Sequence, residues 1–190
     1  MIGAVLAGGA GERLGAAAEG GKPAAKLAGR PLVGYPLAAL AAVCDRVAVV
    51  CKPDTQLPDL GEAERWNEPA EPRHPLTGIV HALERAGEPV LVCAADMPFV
   101  TAEACRSLLT VAARAGAVVT VAIAGDVLQP VLAVYAPVAL DVLRSAAGDE
   151  PLARTVERLD PVRVALSAPL LRSVNTAEDL AAAETSVRGA

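Results

Sequence analysis

An open, mostly parallel α/β sheet with helices on both faces, a three-layer αβα domain, is the fold this sequence predicts, and three observations predict it. Near-continuous apolar runs recur at residues 1–7, 47–51, 89–94 and 117–123. Strands buried on both faces read this way. Segments of helical period separate them, and the order strand, helix, strand, helix, strand, helix, strand calls for right-handed crossovers between parallel strands.

The elements follow in order. The first run, Ile2-Gly-Ala-Val-Leu6, is a buried strand that opens into a glycine loop. Residues 31–43 predict a helix with Pro31 near its first turn. Residues 76–86 place Leu76, Ile79, Val80 and Leu83 on one face of a second helix. Residues 101–115 begin with Thr101-Ala-Glu-Ala, a capping sequence. The later part, through residues 130–135, 138–145, 162–166 and 176–184, alternates less regularly, and an edge or antiparallel strand is expected to enter there, with a closing helix. The proline- and acid-rich segment 52–74 lacks periodicity and predicts a long loop. A single domain spanning residues 1–190 accommodates all of this.

Composition narrows the function. The chain is 53% hydrophobic but only 2% aromatic, so its core is built from Ala, Val and Leu. A net charge of -5 argues against a protein that coats nucleic acid, which needs an extended basic face. A small nucleotide needs only a local cluster of cations, which Arg13, Lys22, Lys26 and Arg30 supply. Cys44, Cys51, Cys93 and Cys105 form no C-x-x-C pair and have no histidine at zinc-site spacing, so Cys51 and Cys93 read as small buried hydrophobes. The apolar N-terminal run lacks a basic flank and breaks at glycine too early for a signal sequence or a membrane span. A reducing cytoplasm and no membrane contact are therefore expected.

The densest chemical signal is Gly8-Gly9-Ala10-Gly11-Glu12-Arg13-Leu14-Gly15, followed by Gly20-Gly21-Lys22-Pro23. Glycines let backbone N–H groups approach an anion, and the two cations match a triphosphate. A Walker A loop is excluded because Lys22 is followed by Pro23 instead of Ser or Thr and Ala16 stands where the leading glycine belongs. A dinucleotide fingerprint fails at Leu14, in the place of the third glycine.

What remains resembles the nucleotidyltransferases of the sugar-nucleotide and cofactor type, and within them the molybdenum cofactor guanylyltransferases. The residues that carry the resemblance are Leu6-Ala-Gly-Gly9, Arg13, Gly15, Lys22, Gly29-Arg-Pro-Leu32, Pro75-Leu-Thr-Gly-Ile79, Ala95-Asp-Met-Pro-Phe99, Gln129-Pro130 and Val174-Asn-Thr-Ala-Glu-Asp179. These blocks run in family order over nearly the whole chain. The resemblance implies a Rossmann-like fold of the nucleotide-diphospho-sugar transferase type. It also implies Mg²⁺-dependent transfer of GMP from GTP to the phosphate of molybdopterin, with release of pyrophosphate. A molybdenum enzyme or its insertion chaperone would lie downstream, and the chain itself is expected to be a monomer.

Site residues follow residue by residue. Leu6, Ala7, Gly8 and Gly9 would bind the nucleotide, and Arg13 and Lys22 would neutralise the leaving pyrophosphate. Asp96, at the carboxyl end of a buried strand, projects into the crevice where open α/β sheets bind ligands. By resemblance it is the metal ligand. Asn175 would complete the metal site or cap the final helix. Glu68 occupies the place of an acidic residue that meets the base. Asp179 reads as first-turn helix charge. The sequence departs from the family pattern in two places. The loop before Lys22 is longer and lacks an aspartate, and His74 replaces a glycine before Pro75. Both leave phosphate and metal chemistry intact while weakening the case for guanine, so a cytidylyl- or adenylyltransferase acting on another phosphorylated metabolite stays open. So does a non-catalytic nucleotide-binding module. His74 is placed to touch substrate, whereas His81, Trp66 and Tyr135 read as packing residues.

Overall fold

The computed structural model describes residues 1–9, 21–146 and 150–188. Among the described residues the strands are β1 (Ile2–Leu6), β2 (Lys26–Leu27), β3 (Arg30–Pro31), β4 (Arg46–Cys51), β5 (Glu64–Asn67), β6 (Val90–Ala94), β7 (Val119–Ala124), β8 (Val127–Tyr135) and β9 (Val162–Ala165). The α-helices are α1 (Gly34–Ala41), α2 (Pro75–Ala86), α3 (Ala102–Ala115), α4 (Leu140–Ser145), α5 (Leu152–Glu157) and α6 (Ala177–Arg188). Seven strands form the central sheet in the order β5-β4-β1-β6-β8-β7-β9, and β2 and β3 form a small separate hairpin. Every neighbouring pair in the main sheet is parallel except the two that involve β8.

Strand alternation divides the core into two layers. Ile2, Ala4, Ala48, Val50, Val90 and Val92 point to one face, where they pack against Leu76, Ile79 and Leu83 of α2 and Leu143 of α4. Val5, Val49, Cys51, Leu91 and Cys93 point to the other, against Leu40 of α1 and Cys105 and Leu108 of α3. Both faces of the parallel strands are thus covered, which explains why they read as unbroken apolar runs. A third, smaller cluster ties the β2–β3 hairpin to α6 through Leu27, Leu32, Val174 and Ala183. The three-layer αβα reading is therefore correct.

Three details correct the sequence reading. Pro31 lies in β3, paired with Lys26, and α1 starts only at Gly34 with Pro36 in its first turn. The segment 52–74 contains β5, an edge strand of sequence Glu-Arg-Trp-Asn; being half solvated it carries no apolar run, so periodicity misses it. The edge or antiparallel strand expected in the later part of the chain is β8, which is antiparallel but lies inside the sheet between β6 and β7. Pro130 is tolerated there because the β7–β8 register shifts at this point, from Val121 opposite Ala133 to Ala122 opposite Gln129.

All four cysteines are free. Burial pushes the Cys44 thiol up to about 11 and that of Cys105 up to about 12. It also raises Cys51 and Cys93, in keeping with packing residues. Trp66 is buried with its indole N–H donating to Glu64, and the Tyr135 hydroxyl donates to the Pro130 carbonyl. No helix among the described residues is long and apolar enough to cross a membrane.

Thr101 caps α3 as its sequence predicts, its Oγ1 accepting from the Ala104 N–H at 3.2 Å. Replacing Thr101 with Ala is expected to cost about 1 kcal/mol of stability, read as a lower urea midpoint at unchanged m-value.

Candidate functional site

Because β1, β4, β5 and β6 all run the same way, their carboxyl ends open on one edge of the sheet. The chain leaves each strand while still hydrogen-bonded to its neighbour. The Ala7 N–H donates to the Val50 carbonyl, Glu68 N–H to Cys51 and Ala95 N–H to Leu6, at 2.8, 2.9 and 2.9 Å. The loops after β1, β4, β5 and β6 are thereby held around a cavity of about 240 Å³. Leu6, Gly8, Gly9, Lys52, Glu68 and Asp96 line it, joined by Asn175 from the segment before α6.

A cationic centre sits on its rim. The Lys22 ammonium donates to Asp96 Oδ2 at 2.5 Å and to Asn175 Oδ1 at 2.7 Å. Pro23 follows Lys22 in a short 3₁₀ turn, Lys22–Ala24, which brings the lysine toward β6. A backbone hydrogen bond from the Val174 N–H to the Asp96 carbonyl, 2.8 Å long, draws the segment before α6 against the same point. The two oxygens that meet at one ammonium are hard donors from one carboxylate and one amide. That is the sparse donor set to which Mg²⁺ adds phosphate oxygens and water. Among the described residues no group of three or more His, Cys, Asp or Glu side chains gathers to hold a metal.

Asn175 leaves the capping of α6 to its neighbour. Thr176 Oγ1 accepts from the Asp179 N–H at 3.1 Å, and Asp179 Oδ2 accepts from the Asn175 and Thr176 N–H groups, each at 2.9 Å. This reciprocal box frees the Asn175 side chain to meet Lys22. The backbone hydrogen bonds from Asn175 and then Thr176 hold the Asp179 carboxyl below its ordinary value. Asp179 is therefore a helix-start residue that also orients Asn175.

Glu68 lies deeper, 4% exposed, between the loop after β1 and the first turns of α2. The space it fills exists because Gly8 and Gly78 have no side chains. A Cβ on Gly8 would collide with Glu68 Oε1, and one on Gly78 would stand 3.2 Å from Oε2. Burial raises the Glu68 carboxyl above its usual range, against the opposing pull of Lys52. The Lys52 ammonium lies 3.5 Å from Oε1.

His74 borders the cavity, and its Nδ1 accepts from the Leu76 N–H at 3.2 Å and caps α2. His81 is half-buried on α2, and burial and then Arg85 lower its pKa. Arg13 lies outside the described residues. Lys52, Arg73 and Ser173 line the cavity and were not singled out from the sequence. Lys52 carried a signal, since it directly follows a buried parallel strand, as Asp96 nearly does. A wider groove of 610 Å³ runs along α1 and residues 58–64. Among the described residues that line it there is neither Gly8, Gly9, Lys22, Glu68, Asp96 nor Asn175, and the convergent polar groups lie in the smaller cavity.

Residues 3–163 match a family described as the MobA-like NTP transferase domain. The chain belongs to that family. Among solved structures, the MobA-like fold is shared with molybdopterin-guanine dinucleotide biosynthesis protein A from Archaeoglobus fulgidus, at 28% identity, full coverage of both chains and a TM-score of 0.84. It is shared also with a nucleotidyl transferase from Methanothermobacter, at 19% identity, 100% and 99% coverage and a TM-score of 0.78. The 2-C-methyl-D-erythritol 4-phosphate cytidylyltransferase from Thermus thermophilus matches in fold at 19% identity, 97% and 98% coverage and a TM-score of 0.73. No curated protein matches with comparable significance. This MobA-like chain is accordingly an NTP-transferase family member in which Gly8, Gly9 and the Lys22–Asp96–Asn175 cluster lie together at the carboxyl ends of the parallel strands.

Asp179 carries a pH prediction. A carboxyl whose folded pKa is depressed contributes stability above its unfolded pKa, about 3.9, and loses it as the pH falls through the folded value. Asp179→Asn is therefore expected to lower the thermal midpoint at pH 7, with the difference from wild type shrinking to nothing as the pH falls below about 4. A difference that persists in acid would assign the loss to packing instead.

Proposed function

We propose that this chain is a Mg²⁺-dependent guanylyltransferase that moves GMP from GTP to the phosphate of molybdopterin and releases pyrophosphate. The observation that carries the reading is the convergence of Lys22, Asp96 and Asn175 on one point beside Gly8 and Gly9. In this reading the acceptor phosphate oxygen attacks the α-phosphorus in line. A bond forms between them while the bond to the bridging oxygen breaks, and pyrophosphate leaves with the electron pair. No protein nucleophile is needed, so catalysis rests on positioning and charge neutralisation.

Gly8 and Gly9 admit the phosphates close to the backbone. Lys22 compensates negative charge that builds on the leaving group, and Arg13 is assigned the same role on the sequence alone. Asp96 and Asn175 would hold Mg²⁺, and bound there it would draw charge from the α-phosphate and the leaving pyrophosphate. The lysine's present partners are then the metal's ligands, and Lys22 turns from them to the phosphates. Glu68 faces the base as an acceptor. The resemblance to a molybdopterin-guanine dinucleotide biosynthesis protein favours molybdopterin as acceptor, and a molybdenum enzyme or insertion chaperone as recipient of the product.

A cytidylyl reading stands second, favoured by one feature of the cavity. Glu68 Oε2 has no hydrogen-bond partner among the described residues, and a single acceptor oxygen suits the amino group of cytosine as well as that of guanine.

Pyrophosphate release, measured with each of the four NTPs and Mg²⁺ in the presence and absence of molybdenum-bound molybdopterin, tests both readings. Release confined to GTP with that acceptor is expected; release with CTP alone would transfer the assignment to cytidylyl transfer. Asp96→Ala is expected to keep the fold, by circular dichroism, and to lower transfer by about 10²–10³-fold. Unchanged transfer in Asp96→Ala would remove it from the metal site.

A further inference from the structure

Lys52 is the most completely buried cation in the cavity wall. It is 1% exposed and follows β4 directly, where the parallel strands end. Removing an ammonium from water is costly unless each of its protons finds an acceptor. Here the Pro69 and Pro72 carbonyl oxygens accept from Lys52 Nζ at 2.8 Å each, and Glu68 Oε1 lies on the third side at 3.5 Å. An ammonium has three protons to donate, so this one has none left for a ligand. Its consequence is therefore indirect: it ties the segment that leaves β5 to the end of β4.

That segment bears the chemistry. It contains Glu68, whose Oε1 faces Lys52 and whose Oε2 is buried without a hydrogen-bond partner among the described residues, and it leads within six residues to His74, the cap of α2. We infer that Lys52 is a positioning residue for the nucleotide site: it pins residues 68–72, holds the Glu68 carboxylate in the cavity wall through Oε1, and thereby sets which base the cavity accepts. The inference rests on the nucleotide reading above for the identity of the ligand. The tie itself rests only on the geometry. Burial pushes the Glu68 carboxyl up and Lys52 pulls it down. Without the ammonium the carboxyl would be more easily protonated, and Oε2 would no longer be a dependable acceptor.

The test compares wild type with Lys52→Met, Lys52→Arg and the double variant Lys52→Met/Glu68→Gln, which removes both buried charges and so remains foldable if the single methionine variant is not. Two readouts are needed: amide hydrogen exchange over residues 68–74 without ligand, and binding of each NTP with Mg²⁺ by calorimetry alongside turnover at saturation. Lys52→Met and the double variant are expected to exchange faster at 68–74 and at few other places. They should bind the preferred NTP about tenfold more weakly or worse, with narrowed discrimination among bases. In Lys52→Met the kcat should fall by less than the affinity does, because Lys52 touches neither phosphate nor reacting atoms. Lys52→Arg should recover part of the affinity.

Unchanged exchange at 68–74 overturns the positioning assignment whatever the protein binds. So does wild-type affinity and base selectivity in a folded variant without Lys52. If wild type binds none of the four NTPs while the exchange contrast is intact, the nucleotide reading fails and the tie between β4 and residues 68–72 stands.

Discussion

One ammonium, shared by two oxygens from distant parts of the chain, marks the point where the long-range connections of this fold meet. Lys22 meets Asp96 across 74 residues and Asn175 across 153. Bringing three such segments to one point requires β1 and β6 to be neighbours. It requires the chain to come back to the end of β6 at Lys22, and to return after β9 to place residues 173–175 on the loop after β6. The parallel pairing of β1 with β6, in register from Ile2 opposite Val90 to Leu6 opposite Ala94, supplies the first requirement. The Val174–Asp96 backbone hydrogen bond supplies the last.

The same architecture separates two electrostatic tasks. At the rim, Lys22 and Asp96 are partly exposed, so their partnership is exchangeable: a polyphosphate and its counter-cation can compete for both. In the depth of the cavity, Lys52 and Glu68 are almost fully buried, and separating them would strand a charge away from water. The exchangeable pair thus lies at the rim and the fixed pair in the depth of the same cavity. Gly8 stands beside the buried pair, where a side chain would collide with the Glu68 carboxylate.

β8 departs from the parallel plan, and it shows how the sheet is extended past the site. Reversing direction lets β7 and β8 connect through a tight turn at residues 125–126, and the bulge opposite Val121 and Ala122 absorbs Pro130. Val131 from this irregular stretch reaches the cavity wall. The region beyond β6 thus closes the site laterally while the four parallel strands on its other side supply most of its polar groups.

The sequence by itself determined the layer architecture, because strands covered on both faces must be apolar throughout and helices on those faces must be amphipathic. It singled out as well two of the positions that line the cavity at the strand ends, Gly8 and Gly9 after β1 and the aspartate after β6. It did not reveal β5, whose edge position allows Glu-Arg-Trp-Asn in place of an apolar run, nor the interior position of β8, since strand order depends on pairing between distant segments. Local pattern also left Asn175 between two roles. Only the tertiary structure decided that Thr176 and Asp179 cap α6 and that Asn175 turns to Lys22. Lys52 is the sharpest case: in sequence it is a cation at the start of a loop, and only the carbonyls of Pro69 and Pro72, 17 and 20 residues away, and the carboxylate of Glu68 allow it to be buried.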